Sequence, residues 1–386
     1  MSSSHPTRQK VAEIEYVTIS RLDDFAALSA QWDPLVHAMG RPSPFMLHAW
    51  LTEWWRHHGP YRQMLVEAAF AGDALVGAIP IEVEHRRLGT RVAHFMGRHH
   101  AALADVLVGA AFEESLPSAL LERIRQRVDY VDLFGLPATS VLLGHTDTRR
   151  ASVIERIAAP TLDLSEGWEV VYRKKTSSKR RNLHSRRRRQ LAELGELEIE
   201  VASRPPELGA ALEHAFRLHD LRWQGKPDGS EFTTPVGKEF NRAAIKAVAP
   251  QGIPHILTLS VAGRPIAFHY YLLMAETMYV HRLAFDPALS RHSPGLLATL
   301  YAIEHAAENG ATRVEFLGGD ERYKMELADT TAPLLECIGF PSTPRGILGV
   351  ALTRSVISTR LRLKRSPRVR SLYFRLAGKR GDHDAD

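Results

Sequence analysis

The 386-residue sequence predicts an α/β (α+β) protein built from two mixed-sheet domains in tandem. Its length suits two cores of roughly 150–200 residues better than one. Hydrophobic residues make up 44% and charged residues 24%, which is the usual mixture of a folded chain. The same order of hairpin, strand, helix and strand is predicted twice. We therefore expect a first domain over residues 1–160, a second over 165–345, and a basic C-terminal tail over 346–386.

Helices followed by paired strands are predicted in the first half. Residues 21–58 show helical periodicity, and three tryptophans between Phe45 and His58 are spaced as in the core side of a helix. Two strands flank the turn Ala71-Gly72-Asp73 and form a predicted hairpin. The predicted strands and helix of this half are Met64–Phe70, Leu75–Val83, Val92–Met96, Asp105–Val108, the helix Leu116–Arg127 and Tyr130–Phe134.

The second half repeats this order after a run of helical sequence. A hairpin is predicted around Ala262-Gly263-Arg264, and a helix is predicted to end at Asn309-Gly310. The segments Val131–Gly135 and Val314–Gly318, VDLFG and VEFLG, align without a gap, and the helices before them align at the same offset. We interpret this as a structural duplication. The predicted elements of this half are Ile256–Val261, Ile266–Met274, Thr277–Phe285, the helix Pro294–Glu308 and Arg313–Leu317.

Positive charge is concentrated in two segments. Residues 173–189 and 354–380 each contain ten Lys or Arg and no acid, although the net charge of the chain is only +6. The first segment belongs to a predicted helix with Leu183 and Leu191 on its apolar side. Such segments contact polyanions such as phosphate, nucleic acid or anionic membrane, and the alternative is a solvated helix face and a loose tail. No helix-turn-helix or zinc pattern indicates sequence-specific DNA binding.

Cysteine content and hydropathy exclude several classes of protein. Cys337, the single cysteine, can form neither an internal disulfide nor a thiolate zinc site. The pair His99-His100 lacks a carboxylate at metal-ligand spacing, so no metal cofactor is expected. No apolar run approaches the roughly 20 residues that cross a bilayer, and the first residues lack the apolar core of a secretion signal. We expect a soluble, cytoplasmic protein.

An anion-binding loop is predicted before the helix of the second half. Ser293 suits the N-cap, Pro294 suits the first helical position, and Gly295 keeps the first turn bare. Unpaired backbone N–H groups and the helix dipole then face an anion, with Arg291 beside them. The first half has Glu113-Glu114-Ser115 at the matching place, where negative charge repels phosphate. The site is therefore expected in the second half, and the alternative is a well-capped helix without a ligand.

A second group of candidates follows the last predicted strand, in Gly318–Lys324. Ligands of α/β proteins gather at such carboxyl ends of strands. Lys324 can hold a carboxylate or phosphate, Tyr323 can protonate a leaving thiolate, and Asp320 can orient an amine. The alternative is a glycine-rich turn with surface charges.

Three residues within strands are further candidates. His281 and, more weakly, His269 lie in the middle of strands and can serve as general bases near neutral pH. Glu315 alternates with two apolar residues and can face the site. The alternative for each histidine is a packed side chain without a catalytic role.

A family resemblance covers residues 170–335 well and the first half in outline. Its motifs are the Ser-Pro-Gly helix start at Ser293, the strand that ends in Gly318-Gly319-Asp320, and the pair Tyr323-Lys324. Together, in YVHRLAFDPALSRHSPGLLATLYAIEHAAENGATRVEFLGGDERYKMEL, they resemble the tandem GNAT-like acetyltransferases of the BioF-like or CelD type. The resemblance implies two GNAT-like domains, of which the first is degenerate. It also implies an acyl-CoA whose pyrophosphate lies on the loop formed by Arg291, Ser293, Gly295 and Leu296.

The implied activity is transfer of an acyl group, most simply acetyl from acetyl-CoA, to an amine or hydroxyl. Small-molecule, saccharide and peptide acceptors fit, in exopolysaccharide, cellulose or cell-envelope synthesis. The loop departs from the GNAT pattern, because Pro294 and Leu296 occupy the two glycine positions, so the donor need not be acetyl-CoA. Two alternatives stay open. One is aminoacyl transfer from charged tRNA, as in the more distant Fem transferases, and the other is a non-catalytic accessory protein of polysaccharide export.

Overall fold

The computed structural model describes residues 13–365, apart from residues 87, 88, 99, 146, 148 and 225–229. The greater part of the expected basic tail, residues 366–386, therefore lies outside the described residues. The elements of the first half are β1 (Ile14–Ile19), α1 (Leu22–Ala26), α2 (Ser29–Ala38), α3 (His48–His58), β2 (Gln63–Ala71), β3 (Ala74–His85), β4 (Arg91–Phe95), β5 (Leu107–Val108), α4 (Leu116–Arg125), β6 (Tyr130–Pro137), α5 (Val141–Gly144) and β7 (Ala151–Asp163). The elements of the second half are α6 (Trp168–Lys175), α7 (Ser178–Ala192), β8 (Leu197–Ala202), α8 (Glu207–Trp223), α9 (Pro235–Val248), β9 (Pro254–Val261), β10 (Arg264–Met274), β11 (Thr277–Phe285), α10 (Pro294–Glu308), β12 (Arg313–Glu315), α11 (Arg322–Leu327), β13 (Thr330–Gly339) and α12 (Pro344–Arg365).

The strands form a single mixed sheet within the described part of the chain. Its order is β1-β2-β3-β4-β6-β13-β7-β12-β11-β10-β9-β8, and β5 pairs with β3 beside this path. Counted inward from the β1 edge and from the β8 edge, the strands of the two halves follow the same order. The matched pairs are β1 with β8, β2 with β9, β3 with β10, β4 with β11, β6 with β12 and β7 with β13. The strand order thus confirms the predicted duplication.

Two strands are exchanged at the centre of this sheet. β7, from the first half, pairs with β12 of the second half, and β13, from the second half, pairs with β6 of the first. β7 and β13 also pair with each other in an antiparallel ladder from Ala151–Gly339 to Thr161–Thr330. Each half therefore completes its sheet with a strand from the other. The division expected at residues 160–165 falls at the end of β7, and the sheet runs across it.

The hydrophobic core is also shared between the halves. Trp50 and Trp54 of α3 are fully buried, as predicted for the core side of this helix. The ring of Trp50 packs edge-on against Phe240 of α9, with 5.2 Å between the ring centroids. A second core lies between α10 and the other face of the second-half strands, and includes Leu297 and Tyr271. The helix α9 thus connects the two halves by packing against α3.

Helix ends follow local sequence signals closely in the second half. α10 begins at Pro294 and ends at Glu308, as predicted. The basic helix is in fact two helices, α6 and α7, because Ser177 begins α7 as an N-cap that accepts a hydrogen bond from the Arg180 N–H. The buried side of α7 carries His184 and Leu191, so the prediction of Leu183 in this role is wrong.

The expected basic tail begins as a helix. α12 packs against β6 and β13, where Ile357 is buried beside Tyr130. The hydroxyls of Thr353 and Tyr130 lie 3.0 Å apart and share a hydrogen bond. Among the residues that the structure describes, no helix has both the length and the apolarity that spanning a membrane requires.

Candidate functional site

The two parallel strands β11 and β12 separate at their carboxyl ends. They pair only from Thr277–Arg313 to Tyr279–Glu315, because β12 stops at Glu315 while β11 continues to Phe285. A cleft of about 2330 Å³ opens beyond this point, lined by the ends of both strands, by α7, and by the first residues of α10 and α11. Separating carboxyl ends of neighbouring strands are where α/β folds bind ligands. The structure thus supplies a candidate site in the second half, where the sequence predicts it.

A β-bulge shapes the wall of this cleft. Arg282 pairs with Tyr270 and Val280 pairs with Tyr271, so His281 between them has no partner on β10. Bulges increase the twist of a strand and redirect its side chains, and they are common beside active sites. His281 and Arg282 both line the cleft as a result.

The matching position in the first half is filled by side chains. β4 and β6 also pair over only two residues before they separate. There the ring of His94 donates through Nδ1 to the Asp132 carbonyl oxygen, 2.8 Å away, and bridges the two strands. Its Nε2 lies 3.1 Å from a carboxylate oxygen of Glu84. In the first half, the gap between the separating strands β4 and β6 is therefore filled by a polar cluster around buried His94.

The predicted donor loop reaches the cleft through three of its four residues. Ser293, Gly295 and Leu296 line it, whereas Arg291 is exposed, lies outside the lining and donates from Nε to His292. Ser293 is the N-cap of α10, but its φ is 50° and its side chain makes no capping bond. A non-glycine residue in this left-handed region is strained, and such residues cluster at functional sites. The first N–H groups of α10 are thus not capped by a side chain, and they lie at residues that line the cleft.

Gly295 is not the solvent-facing residue that a bare first turn suggests. It is buried, and a Cβ at this position would lie 2.7 Å from Cδ1 of Phe285. The helix therefore starts in direct contact with the end of β11.

Of the three side chains predicted as candidates after β12, two line the cleft. Tyr323 is half-buried, and burial raises the pKa of its hydroxyl, so this side chain is protonated at neutral pH. Lys324 also lines the cleft, but its ammonium donates to the Gly318 carbonyl oxygen at 3.0 Å and pairs with Glu321 at 2.9 Å. Asp320 is exposed and is not part of the lining. The ammonium group of Lys324 is therefore already bonded to the turn that precedes it.

The histidine candidates are packed side chains. His281 is buried between Phe45 and Trp50 of the first half, with ring centroids at 5.5 and 5.7 Å. Burial, followed by the positive charge of Arg282, holds the pKa of His281 well below its usual value. It is therefore a much weaker base near neutral pH than expected.

Two weaker candidates lie outside the cleft. His269 is fully buried, neither of its ring nitrogens has a hydrogen-bond partner among the described residues, and burial lowers its pKa to about 3. Glu315 is buried in a salt bridge with Arg41 of the first half and accepts a second bond, of 3.0 Å, from Arg313. Neither residue lines the cleft: His269 is packed in the core, and Glu315 joins the two halves through its salt bridge with Arg41.

Two arginines in the cleft were not predicted. Arg282 is half-buried, donates to the His281 carbonyl oxygen at 2.8 Å, and has no carboxylate contact within the described ranges. Burial lowers its pKa to about 10, so it stays charged at neutral pH. Arg222 of α8 lies 4.3 Å over the ring of Phe285. The position of Arg282 depends on the β-bulge, and that of Arg222 depends on the packing of α8. Local sequence patterns reveal neither.

The basic helix α7 forms one wall of the cleft. Arg180 is paired with Glu326 through both terminal nitrogens and joins α7 to α11. Arg186 and Arg189 are exposed, and both line the cleft. A half-buried arginine, an uncapped helix start and this wall together favour an anionic ligand.

The second half matches a known family. Residues 178–325 match the acetyltransferase (GNAT) domain family, and this segment contains α7, the predicted donor loop and the turn at Tyr323. No curated protein matches the sequence of the chain.

Solved structures resemble the chain over most of its length. FemX is 9% identical, with 85% of this chain and 97% of that chain covered at a TM-score of 0.60. The C-terminal domain of a putative lysylphosphatidylglycerol synthetase from Agrobacterium fabrum is 12% identical, with 86% and 96% covered at 0.55. L-PGS from Bacillus licheniformis is 12% identical, with 84% and 96% covered at 0.54. At these identities the likeness concerns the fold, which is mixed α/β and GNAT-like.

Proposed function

We propose that this chain transfers an acyl group from an acyl-CoA thioester to an amine or hydroxyl acceptor. The observation that carries the proposal is the separation of β11 and β12 beside the uncapped start of α10. The first-turn N–H groups and the helix dipole suit the phosphates of the donor. Beyond Tyr279 the cleft edge of β11 has no strand partner among the described residues, so its backbone N–H groups are available to a thioester carbonyl.

The proposed reaction is a direct displacement. The acceptor nitrogen or oxygen attacks the thioester carbonyl, the carbon–sulfur bond breaks, and the thiolate takes the proton of the Tyr323 hydroxyl. The proton released by the acceptor returns to Tyr323 through solvent. Burial raises the pKa of the Tyr323 hydroxyl, so Tyr323 is protonated at neutral pH and can donate to the leaving sulfur. A covalent route through Cys337 does not fit, since burial raises the pKa of this thiol to about 12.

Cleft size and charge support an anionic donor together with a second substrate. Pockets for one drug-sized ligand measure roughly 300–1,000 Å³, and this cleft is about 2330 Å³. Arg282 lies on the strand wall and suits a phosphate or carboxylate group of either substrate. Small-molecule, saccharide and peptide acceptors all fit. A place in exopolysaccharide, cellulose or cell-envelope synthesis is the part of the proposal that rests on the family resemblance.

Calorimetric titration with acetyl-CoA and CoA tests the proposal. We expect one molecule per chain, and weaker binding of pantetheine, which lacks the phosphates. Arg282→Met should weaken CoA or acceptor binding, whereas Arg264→Met, which removes an exposed arginine outside the cleft, should not. Absence of binding by every acyl-CoA at millimolar concentration would contradict an acyl-CoA donor.

A second candidate is aminoacyl transfer from charged tRNA. The observation that favours it is the arginine-rich wall formed by α7, where exposed Arg186 and Arg189 line the cleft. The fold likeness to FemX and to a protein named as a lysylphosphatidylglycerol synthetase supports it too. Binding of tRNA that weakens steeply with salt, together with failure to bind CoA, would select this candidate. Failure to bind either donor would favour a non-catalytic role.

A further inference from the structure

Three side chains of types that can bind a metal ion come together where the two halves touch, although they lie far apart in the sequence. They are His58, His100 and Glu231, and one ligand atom of each lies within 4.8 Å of the others. We propose that these residues bind a divalent transition-metal ion of the Zn²⁺ class. The proposal is independent of the acyl-transfer reaction, since it concerns residues that contribute no proposed donor contact.

Separate elements position the three ligands. His58 is the last residue of α3, His100 lies in the loop after β4, and Glu231 begins the short 3-10 helix between α8 and α9. The first two residues belong to the first half and the third to the second. A bound ion would therefore join α3 to the segment that leads into α9.

Aromatic packing fixes the two imidazoles. His58 stacks on Trp54 with 5.5 Å between ring centroids and an interplanar angle of 10°. Phe240 packs edge-on against His58 at 5.3 Å and against His100 at 4.8 Å. The two imidazole centroids are 4.5 Å apart. Ligands that are held in this way lose little freedom when they bind an ion.

The chemistry of the ligand set is that of an open zinc site. Two histidines and one carboxylate bind Zn²⁺ at about 2.0–2.2 Å and leave a fourth position for water. Ligand atoms around such an ion are about 3–3.5 Å apart, so only a small inward movement is needed. Glu231 is exposed and can supply this movement, while both histidines stay packed.

The aromatic residues that pack around the three ligands include two buried donors. The indole N–H groups of Trp50 and Trp54, on the same helix as His58, are buried and have no hydrogen-bond partner within the described part of the chain. Buried donors of this kind are normally satisfied by water or ligand atoms. His100 also lines the large cleft, so the ion would lie at the edge of the candidate active site and add positive charge there.

Titration of the full-length chain with Co²⁺ and Zn²⁺ after treatment with a chelator tests the proposal. We expect one ion per chain, a visible Co²⁺ spectrum of low symmetry, and a rise in melting temperature with Zn²⁺. Glu231→Gln is the cleanest variant, since Glu231 is exposed and glutamine preserves its shape. It should weaken binding by more than the roughly 10–100-fold that the loss of an outer-sphere partner costs.

A neighbouring histidine supplies the matched control. His57 lies next to His58 on α3, but its ring is bonded to the Glu53 carbonyl oxygen at 2.8 Å. His57→Gln should bind Zn²⁺ as the wild type does, whereas His58→Gln should not. Equal binding by the wild type and Glu231→Gln would overturn the proposal, as would the absence of stoichiometric binding. In that case the three side chains form a hydrogen-bonded ionic cluster without a metal.

Discussion

Gly295 lies against Phe285 so closely that no side chain fits between them. A Cβ at Gly295 would stand 2.7 Å from Cδ1 and 3.2 Å from Cε1 of the ring. Arg222 lies over the same ring, 4.3 Å from its centroid. The contact thus sets the distance between the start of α10 and the end of β11, and it fixes a cation of the cleft at the same time.

We expect Gly295→Ala to weaken CoA binding and to lower stability together, because the added methyl group displaces Phe285 and with it Arg222. Overpacking of this kind costs about 1–3 kcal/mol. Gly295→Glu should have a larger effect and is therefore no fold-neutral test of the donor site. Chemical denaturation and calorimetry measure the two effects. Gly209→Ala, at a helical position where a Cβ meets no atom within 4 Å, should be neutral or stabilising.

Tyr323→Phe should lower turnover by about 10²–10⁴-fold, since it removes the proposed proton donor. The ring contact with Phe316, at 6.5 Å between centroids, should survive the change and keep the turn in place. Donor affinity and melting temperature should therefore match the wild type. Steady-state kinetics with an identified acceptor make the measurement, and unchanged turnover would remove Tyr323 from the mechanism.

Lys324→Ala should mainly destabilise the protein. The ammonium of Lys324 is buried and bonded to Gly318 and Glu321, so its loss leaves a carbonyl oxygen without its donor. Such a loss costs about 1–3 kcal/mol. Lys174→Ala, which removes an exposed lysine paired with exposed Glu166, should leave the melting temperature unchanged. An altered KM for the acceptor at wild-type stability would instead favour direct substrate binding by Lys324.

Replacing Arg186 and Arg189 by glutamine should weaken binding of a polyanionic partner and flatten its salt dependence. Both side chains are exposed in the cleft wall, so stability should not change. Each phosphate contact that is lost reduces the salt slope by about one unit. Arg242→Gln, an arginine outside the cleft, controls for the loss of one positive charge elsewhere on the surface. A sharp fall in stability without a change in binding would make these arginines structural.

His269→Leu should stabilise the protein, because the fully buried imidazole has no hydrogen-bond partner among the described residues. The substitution should also change how the free energy of unfolding depends on pH. Between pH 6.5 and about 3 the unfolded chain binds a proton that folded His269 does not, so wild-type stability falls as the pH drops below 6.5. The slope is up to about 1.4 kcal/mol per pH unit for one such group. Unfolding curves of both proteins at pH 5 and pH 7 should show a smaller loss in the variant.

Local signals predicted local structure well. The start of α10 at Pro294 and its end before Asn309-Gly310 depend only on neighbouring residues, and the prediction agrees with the structure. β7 and β13 were not predicted, since their partners lie far away along the chain and their pairing is a tertiary event. β8 was also missed, because it is a half-exposed edge strand within a run of helices.

At the candidate site, too, local features were predicted and tertiary contacts were not. Ser293, Gly295, Leu296, Tyr323, Lys324 and His281 reach the cleft because two adjacent strand ends deliver them. Sequence patterns did not reveal the low pKa of His281 or the hydrogen bonds of Lys324, because both depend on tertiary packing. The approach of Glu231 to His58 and His100 was equally invisible, since no spacing in the sequence brings the three together.

The exchanged strands have a consequence for how the protein is made. β6 ends at Pro137, but its neighbour in the sheet, β13, begins only at Thr330. A growing chain therefore leaves the ribosome with the edge of β6 unpaired until the second half has been synthesised. Open edges of this kind invite wrong pairing between chains. Folding should consequently finish after translation, and a chain that stops before residue 330 should aggregate or stay bound to chaperones.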